Sequence, residues 1–200
     1  MKYNIIVACT KNRGIGYENS LPWKISSDLK KFRDLTIGNG NNAVIMGKNT
    51  WTSLPIKYLK SRDNLILSTT LKLSTCYIDN NDNNDNNDDN DSIYSRSTLI
   101  KVFSEIETMI AYCNKAQYDC VWIIGGAEIY NLFLDRANTI QDIEISEIHI
   151  TWIDQDFICD TFFPDIETPN ENYQYKMVSE SLHNVVASYK VYDRVYHLSK

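Results

Sequence analysis

Apolar residues along this chain gather in short runs that switch between two periods. Four runs are almost wholly apolar and rich in β-branched residues: YNIIVAC (3–9), NAVIMG (42–47), NLILS (64–68) and CVWIIGG (120–126). Runs of that length without polar alternation predict strands covered on both faces, as in a parallel sheet. Between them, apolar positions recur at helical spacing in SSDLKKFRDLT (26–36), STLIKVFSEIETMIAYC (97–113) and AEIYNLFL (127–134), which predicts helices. The last third, EIHITWID, YKMVSES and ASYKVYDRVYHL, alternates more and predicts strands that finish the sheet. This order predicts an α/β fold with a mostly parallel central sheet, flanking helices and a late antiparallel strand.

Composition changes this picture in only a few places. The chain has 200 residues and is 43% hydrophobic, enough for one core, so a single domain over 1–200 is expected. The net charge of −6 is local. Residues 79–91 read DNNDNNDNNDDND and hold six Asp, and the other 20 acids balance 20 bases. A neutral body argues against nucleic acid or an anionic membrane as partner. The tract has nothing apolar to bury, so it is expected to be a mobile insertion within the domain. No run is long enough to span a bilayer, and the first residues lack the form of a signal peptide, so a cytoplasmic location is expected. The five scattered cysteines are expected to be reduced thiols, with no metal site.

Four short patterns carry candidate chemistry. Taking Asp28 as origin, Ile25, Leu29, Phe32 and Leu35 fall at offsets of −3, +1, +4 and +7, along one side of a helix. Asp28 therefore lies on the apolar stripe. Two explanations stand: a first-turn acid favouring the helix dipole behind Ser26 or Ser27 as N-cap, or a buried carboxylate facing a ligand cavity and paired N–H donors, with its pKa raised by desolvation. GIGYENSLPW (14–23) has the glycine-rich start and Pro–Trp end of a lid, a composition ordinary loops share. VIMGKNTW (44–51) and VWIIGGAEIY (121–130) each read as strand, glycine, helix, the arrangement that presents backbone N–H groups to phosphate. The second is not a GxGxxG fingerprint, so each is modest evidence by itself. Two such junctions together suggest a ligand with phosphates at two places.

In order along the chain, IVACTKNRGIGYENSLPWKISSDLKKF, VIMGKNTW, LILS, VWIIGGAEIY and DTFFP resemble the dihydrofolate reductase family from the first strand to the end. The resemblance implies reduction of 7,8-dihydrofolate with NADPH, by hydride transfer to C6 and protonation of N5, in support of one-carbon metabolism and thymidylate synthesis. It implies that Asp28 binds the pterin, sharing a hydrogen-bond network with Thr151, while Leu21 and Trp23 belong to the lid that closes over the reaction. Ile6, Val7, Ala8, Phe32 and Ile124 would wall the pterin pocket, Leu29, Leu54 and Leu59 would pack on the aminobenzoyl ring, and Arg62 would hold the glutamate carboxylate. For NADPH, Ala8, Ile15, Gly16 and Ile124 would border the nicotinamide. Gly47, Lys48, Asn49, Thr50, Ser68 and Thr69 would surround the adenosine phosphates, and Gly125, Gly126, Ala127, Glu128, Ile129 and Tyr130 the pyrophosphate and ribose. Asp160 corresponds to the residue that latches the lid at Gly16–Glu18. Antifolates are the implied inhibitors, and a monomer is implied unless the chain is the reductase part of a fusion with thymidylate synthase.

The chain departs from the family pattern at the nucleotide end. Ser68 is followed by Thr69–Thr70 where members often carry a basic residue, and Glu128 is acidic at a helix start. Lys48 remains, and Arg96 in YSRS sits where the resemblance implies a further basic contact, so the two together are expected to select NADPH over NADH. The loop before the carboxylate-binding arginine reads YLKSR in place of PLPGR. A reductase of another pteridine or pyrimidine, and a binding module without turnover, remain as alternatives.

Overall fold

The computed structural model describes residues 1–79, 96–139, 143–166, 173–184 and 187–196. In chain order the elements are β1 (Tyr3–Thr10), β2 (Gly14–Gly16), α1 (Ser26–Ile37), β3 (Asn42–Gly47), α2 (Lys48–Ser53), β4 (Asp63–Leu67), β5 (Cys76–Ile78) and β6 (Thr98–Phe103). There follow α3 (Ile106–Ala116), β7 (Cys120–Gly125), α4 (Ala127–Thr139), β8 (Ile145–Ile153), β9 (Thr161–Phe162), β10 (Tyr173–Asn184) and β11 (Ala187–Tyr196). Nine strands form one sheet in the order β10-β11-β8-β1-β7-β3-β4-β6-β5. The block from β8 to β6 is parallel throughout. β11 joins β8 antiparallel, β10 joins β11 antiparallel, and β5 closes the other edge antiparallel to β6. The expected α/β architecture is present, and no helix among the described residues is long and apolar enough to cross a membrane.

One expected helix is half strand. Residues 97–113 contain β6 and the start of α3, separated by Ser104–Glu105. In TLIKVF a β-branched, largely apolar run pairs with β4 from Asn64↔Ile100 to Leu67↔Phe103, and this sheet burial overrides a pattern that also fits a helix. The short β5 was not predicted. It pairs Ile78 with Thr98, so the Asn/Asp tract connects neighbouring strands. Apart from Asp79, that tract lies outside the described residues. Among the thiols, burial pushes Cys113 and Cys120 up to about 12, and none of the five cysteines is joined in a disulfide.

Strand alternation divides the core between the two faces of the sheet. Ile5, Val7, Ile45, Leu65, Ile123, Ile148 and Ile150 face α3 and α4, whose Met109 and Phe133 are fully buried there. Ile6, Val44, Met46, Ile66 and Trp122 face the other way, where Phe32 and Leu35 of α1 pack against them. α1 covers this second face unevenly. Its fully buried residues, Thr36 and Ile37, lie at the C-terminal end, whereas Leu29 is 46% exposed. The N-terminal half of α1, with the half-buried Phe32, Leu54, Leu59 and Ile124, thus borders a partly uncovered apolar groove near the C-terminal ends of the parallel strands, where ligands of such sheets bind.

Candidate active site

In this groove the Thr151 hydroxyl of β8 donates to Asp28 Oδ1 of α1 at 2.6 Å. Neither serine caps the helix: Ile25 is the N-cap and makes no side-chain hydrogen bond. Asp28 is therefore a first-turn acid that also reaches across to the sheet. Ile6, Phe32, Leu54, Leu59 and Ile124 belong to one apolar cluster on this side, and Ala8 pairs with Thr151. Val7 differs from expectation. Its side chain packs in the opposite cluster, because a strand cannot aim neighbouring residues at one face, so only its backbone borders the groove. Leu29 stands at the groove mouth.

Arg62 lies under the C-terminal half of α1 and is 4% exposed. Its Nη1 donates to the Arg33 carbonyl at 3.2 Å and to the Thr36 hydroxyl, and its guanidinium lies 5.8 Å from the Phe32 ring. The guanidinium is thereby fixed before any ligand arrives.

The GIGYENSLPW segment is tied at two places. β2 pairs with β9, and Tyr17 and Ser20 exchange backbone hydrogen bonds around Glu18 and Asn19, both at positive φ, the conformation of a tight hairpin turn. Asp160 Oδ2 accepts the Glu18 N–H at 2.8 Å, and the Asp160 N–H returns to the Gly16 carbonyl. The Glu18 N–H, with the Thr161 hydroxyl, holds the Asp160 carboxyl below its ordinary range. Leu21 is 57% exposed, and Ile15 packs toward the far cluster. Trp23 lies against Phe157, with ring centroids 5.4 Å apart. The solvent-shielded indole nitrogens of Trp23 and Trp122 have no acceptor among the described residues.

The two strand–glycine–helix junctions are neighbours, since β3 pairs with β7 and Met46 lies opposite Gly125. A Cβ on Gly126 would sit 3.5 Å from Thr50 Oγ1. The junctions therefore form one glycine-lined surface at the N-terminus of α4. Gly125 has φ +107 and begins a cis peptide to Gly126, and a Cβ there would lie 2.9 Å from the Tyr130 ring. Ile129 and Tyr130 are core side chains, not ligand-facing ones: they are 7% and 3% exposed, and the Tyr130 hydroxyl donates to the Ile6 carbonyl at 2.9 Å. Their N–H groups return to the Gly126 carbonyl. The amides left without an intrahelical acceptor are then those of Ala127 and Glu128.

Beyond this surface, at the ends of β4 and β6, lies a cleft of about 430 Å³ lined by Ser68, Thr69, Lys72, Ser74, Val102 and Ser104 among others. Lys48 stands near it, its Nζ 3.1 Å from Thr70 Oγ1, and Asn49 is exposed on the same short helix. Arg96 is not brought to Lys48. It precedes β6 and so sits at the opposite edge of the parallel block, where it donates to Asp63 Oδ1 at 3.1 Å and to the Gly40 carbonyl at 2.7 Å. The expectation for Arg96 rested on the family resemblance, which does not register that a residue just before β6 lies at the end of that strand away from Ser68. The basic residue that does line the cleft, Lys72, was missed. Its place four residues after Ser68 was the available signal.

A family model described as dihydrofolate reductase matches residues 2–197. The chain belongs to the dihydrofolate reductase family. Among curated relatives, it is 36% identical over 183 residues to the viral dihydrofolate reductase of Saimiriine herpesvirus 2 (strain 488), covering 88% of this chain and 73% of that one. It is 30% identical over 187 residues to the dihydrofolate reductase of Heliothis virescens, covering 90% and 86%. It is also 35% identical over 174 residues to bifunctional dihydrofolate reductase-thymidylate synthase 1 of Arabidopsis thaliana, covering 83% of this chain and 29% of the relative. The matched region spans 27–34% of the length of such bifunctional relatives.

Proposed function

We propose that the protein reduces 7,8-dihydrofolate to tetrahydrofolate with NADPH. The observation that carries this reading is the Asp28–Thr151 pair, a carboxylate held at the wall of an apolar groove beside two phosphate-type junctions. A half-buried carboxylate with one oxygen engaged by a hydroxyl presents a planar acceptor edge, which suits the paired N–H donors of a pterin. Arg62, already fixed by Arg33 and Thr36, is the group for the substrate's carboxylate, and a fixed guanidinium loses little freedom on binding.

The cofactor fits the residues present. Gly126 leaves room beside Thr50, the α4 N-terminus offers Ala127 and Glu128 amides, and the hydroxyl-lined cleft continues from there. When bound, NADPH supplies the hydride. Lys48 and Lys72 are the cations available to a 2′-phosphate, in place of the expected Lys48–Arg96 pair. Asp28 binds and polarises the pterin without delivering the proton to N5 itself, and water beneath Leu21 supplies it once the lid closes. Excluding bulk water strengthens each charge interaction around the ring.

The test is the absorbance of reduced nicotinamide followed with purified protein, NADPH and dihydrofolate, with and without methotrexate. Rapid, inhibitor-sensitive loss of signal is expected. No loss of signal with NADPH bound would reject folate as the substrate.

A further inference from the structure

The strand that supplies Thr151 carries two more polar residues on the same side, Glu147 and His149, which the functional reading leaves unused. His149 is 7% exposed. Its Nε2 lies 2.8 Å from Glu147 Oε2, and its Nδ1 meets the Tyr189 hydroxyl of β11. Glu147 also accepts the Asn4 amide at 3.1 Å and faces Lys2 Nζ at 3.5 Å. A carboxylate only accepts, so the imidazole proton sits on Nε2, Nδ1 is the acceptor, and the Tyr189 hydroxyl donates to it.

Tyr189 connects this buried chain to the groove. It lies opposite Thr151 in the β8–β11 register. Lys31 of α1, three residues after Asp28, places Nζ 3.0 Å over the Tyr189 ring, a favourable seat for a cation.

We propose that Glu147, His149 and Tyr189 form a positioning relay for Asp28: neutral His149 locks the Tyr189 ring, Tyr189 seats Lys31, and Lys31 fixes the first turns of α1 so that Asp28 meets both Thr151 and the ligand. The proposal rests on the reading of Asp28 as the ligand's anchor. The relay has a built-in sensitivity to acid. The groups facing His149 are Glu147 on its own strand, Tyr189 on β11, Lys2 and Asn4 on and before β1, Lys31 on α1, and the Trp122 ring of β7, 5.0 Å away edge-on. A protonated His149 loses its acceptor for Tyr189 and adds a cation near Lys2 and Lys31. Burial disfavours that form and outweighs the help from Glu147, so the relay is intact at neutral pH.

Three variants test it: Tyr189→Phe, His149→Phe and His149→Gln. Methotrexate affinity is read by tryptophan fluorescence, and KM and kcat are measured with dihydrofolate. The two Phe variants are expected to weaken methotrexate and raise KM about fivefold, the size of one lost buried hydrogen bond, with kcat nearly unchanged. Gln keeps a donor and an acceptor but cannot titrate, so His149→Gln is expected to bind like the parent at neutral pH and to lose one ionisation from the acid side of the binding profile. Parent-like affinity in both Phe variants would overturn the relay, as would His149→Gln behaving like His149→Phe. Tyr189→Phe removes a single hydroxyl and keeps the test open if His149→Phe does not fold. A parent that binds methotrexate without consuming NADPH would overturn the functional reading alone, while the binding measurements would still decide the relay.

Discussion

Two aspartates at opposite ends of the parallel strands show how the same side chain serves different ends. Asp63, at the start of β4, is 6% exposed and accepts from Arg96, from the Tyr118 hydroxyl at 2.7 Å and from the Leu99 N–H. Asp28, in the first turn of α1, is half-buried and accepts from Thr151 at the wall of an open groove. The first is a closed hydrogen-bonded knot of the kind that stabilises a fold. The second lies where α1 is incompletely covered, on the side of the half-buried Phe32, Leu54, Leu59 and Ile124. Burial and partner geometry, more than residue type, separate the structural acid from the one proposed to bind ligand.

Substitution should separate them as well. The largest effect is expected for Asp28→Asn, a loss of roughly a thousandfold in kcat/KM at neutral pH, or about 4 kcal/mol. Recovery should be partial in acid, where dihydrofolate is already protonated, and thermal stability should be close to the parent's. Steady-state kinetics across pH check this, and unchanged neutral-pH rates would remove Asp28 from the mechanism. Asp63→Ala is expected to do the reverse. It leaves the Arg96 cation and the buried Tyr118 hydroxyl uncompensated, which costs about 3 kcal/mol in urea unfolding, with kcat unchanged.

A smaller effect belongs to the cofactor end. Removing both Lys48 and Lys72 is expected to lower the preference for NADPH over NADH roughly tenfold, with a flatter salt dependence, since both charges are exposed and screened. Arg96→Gln should leave that preference alone. A shift in the Arg96 variant with none in the lysine double variant would reverse the assignment.

The smallest effect is a pH dependence of stability. His149 has its folded pKa held below the ordinary 6.5 by burial, against the pull of Glu147, so its contribution is complete above about 6.5 and is lost as pH falls through the folded value. Burial pushes Glu147 up, yet the His149 N–H and Lys2 outweigh it and hold its pKa below the ordinary value, which adds a second loss at lower pH. Urea midpoints measured from neutral to acid should fall less in His149→Gln than in the parent. Parallel curves would show that His149 does not titrate in this range.

Much of this was legible along the chain. The buried strands, the glycine-rich hairpin after β2, the acidic helix and both glycine junctions are local features, and period, turn residues and glycine placement report such features directly. What misled was a segment compatible with two periods. TLIKVF followed by EIETMIAYC fits a helix throughout, and only the partner strand β4 makes its first half a strand. Arg96 was expected at the nucleotide from the family resemblance alone, and the start of β6 places it at the other end of the parallel strands. Ile129 and Tyr130 sit in a junction motif, but their helical phase turns them into the core.

By itself the sequence determined the α/β class and the family, because these rest on short-range patterns and on an ordered set of motifs. Tertiary structure decided which edge of the sheet each charge occupies and which residues alternate onto Thr151's face. It also decided that Tyr189, nearly at the end of the chain, lies beside an acid near its beginning. Those relations depend on strand order and register, and pairing between distant segments leaves no mark within either one.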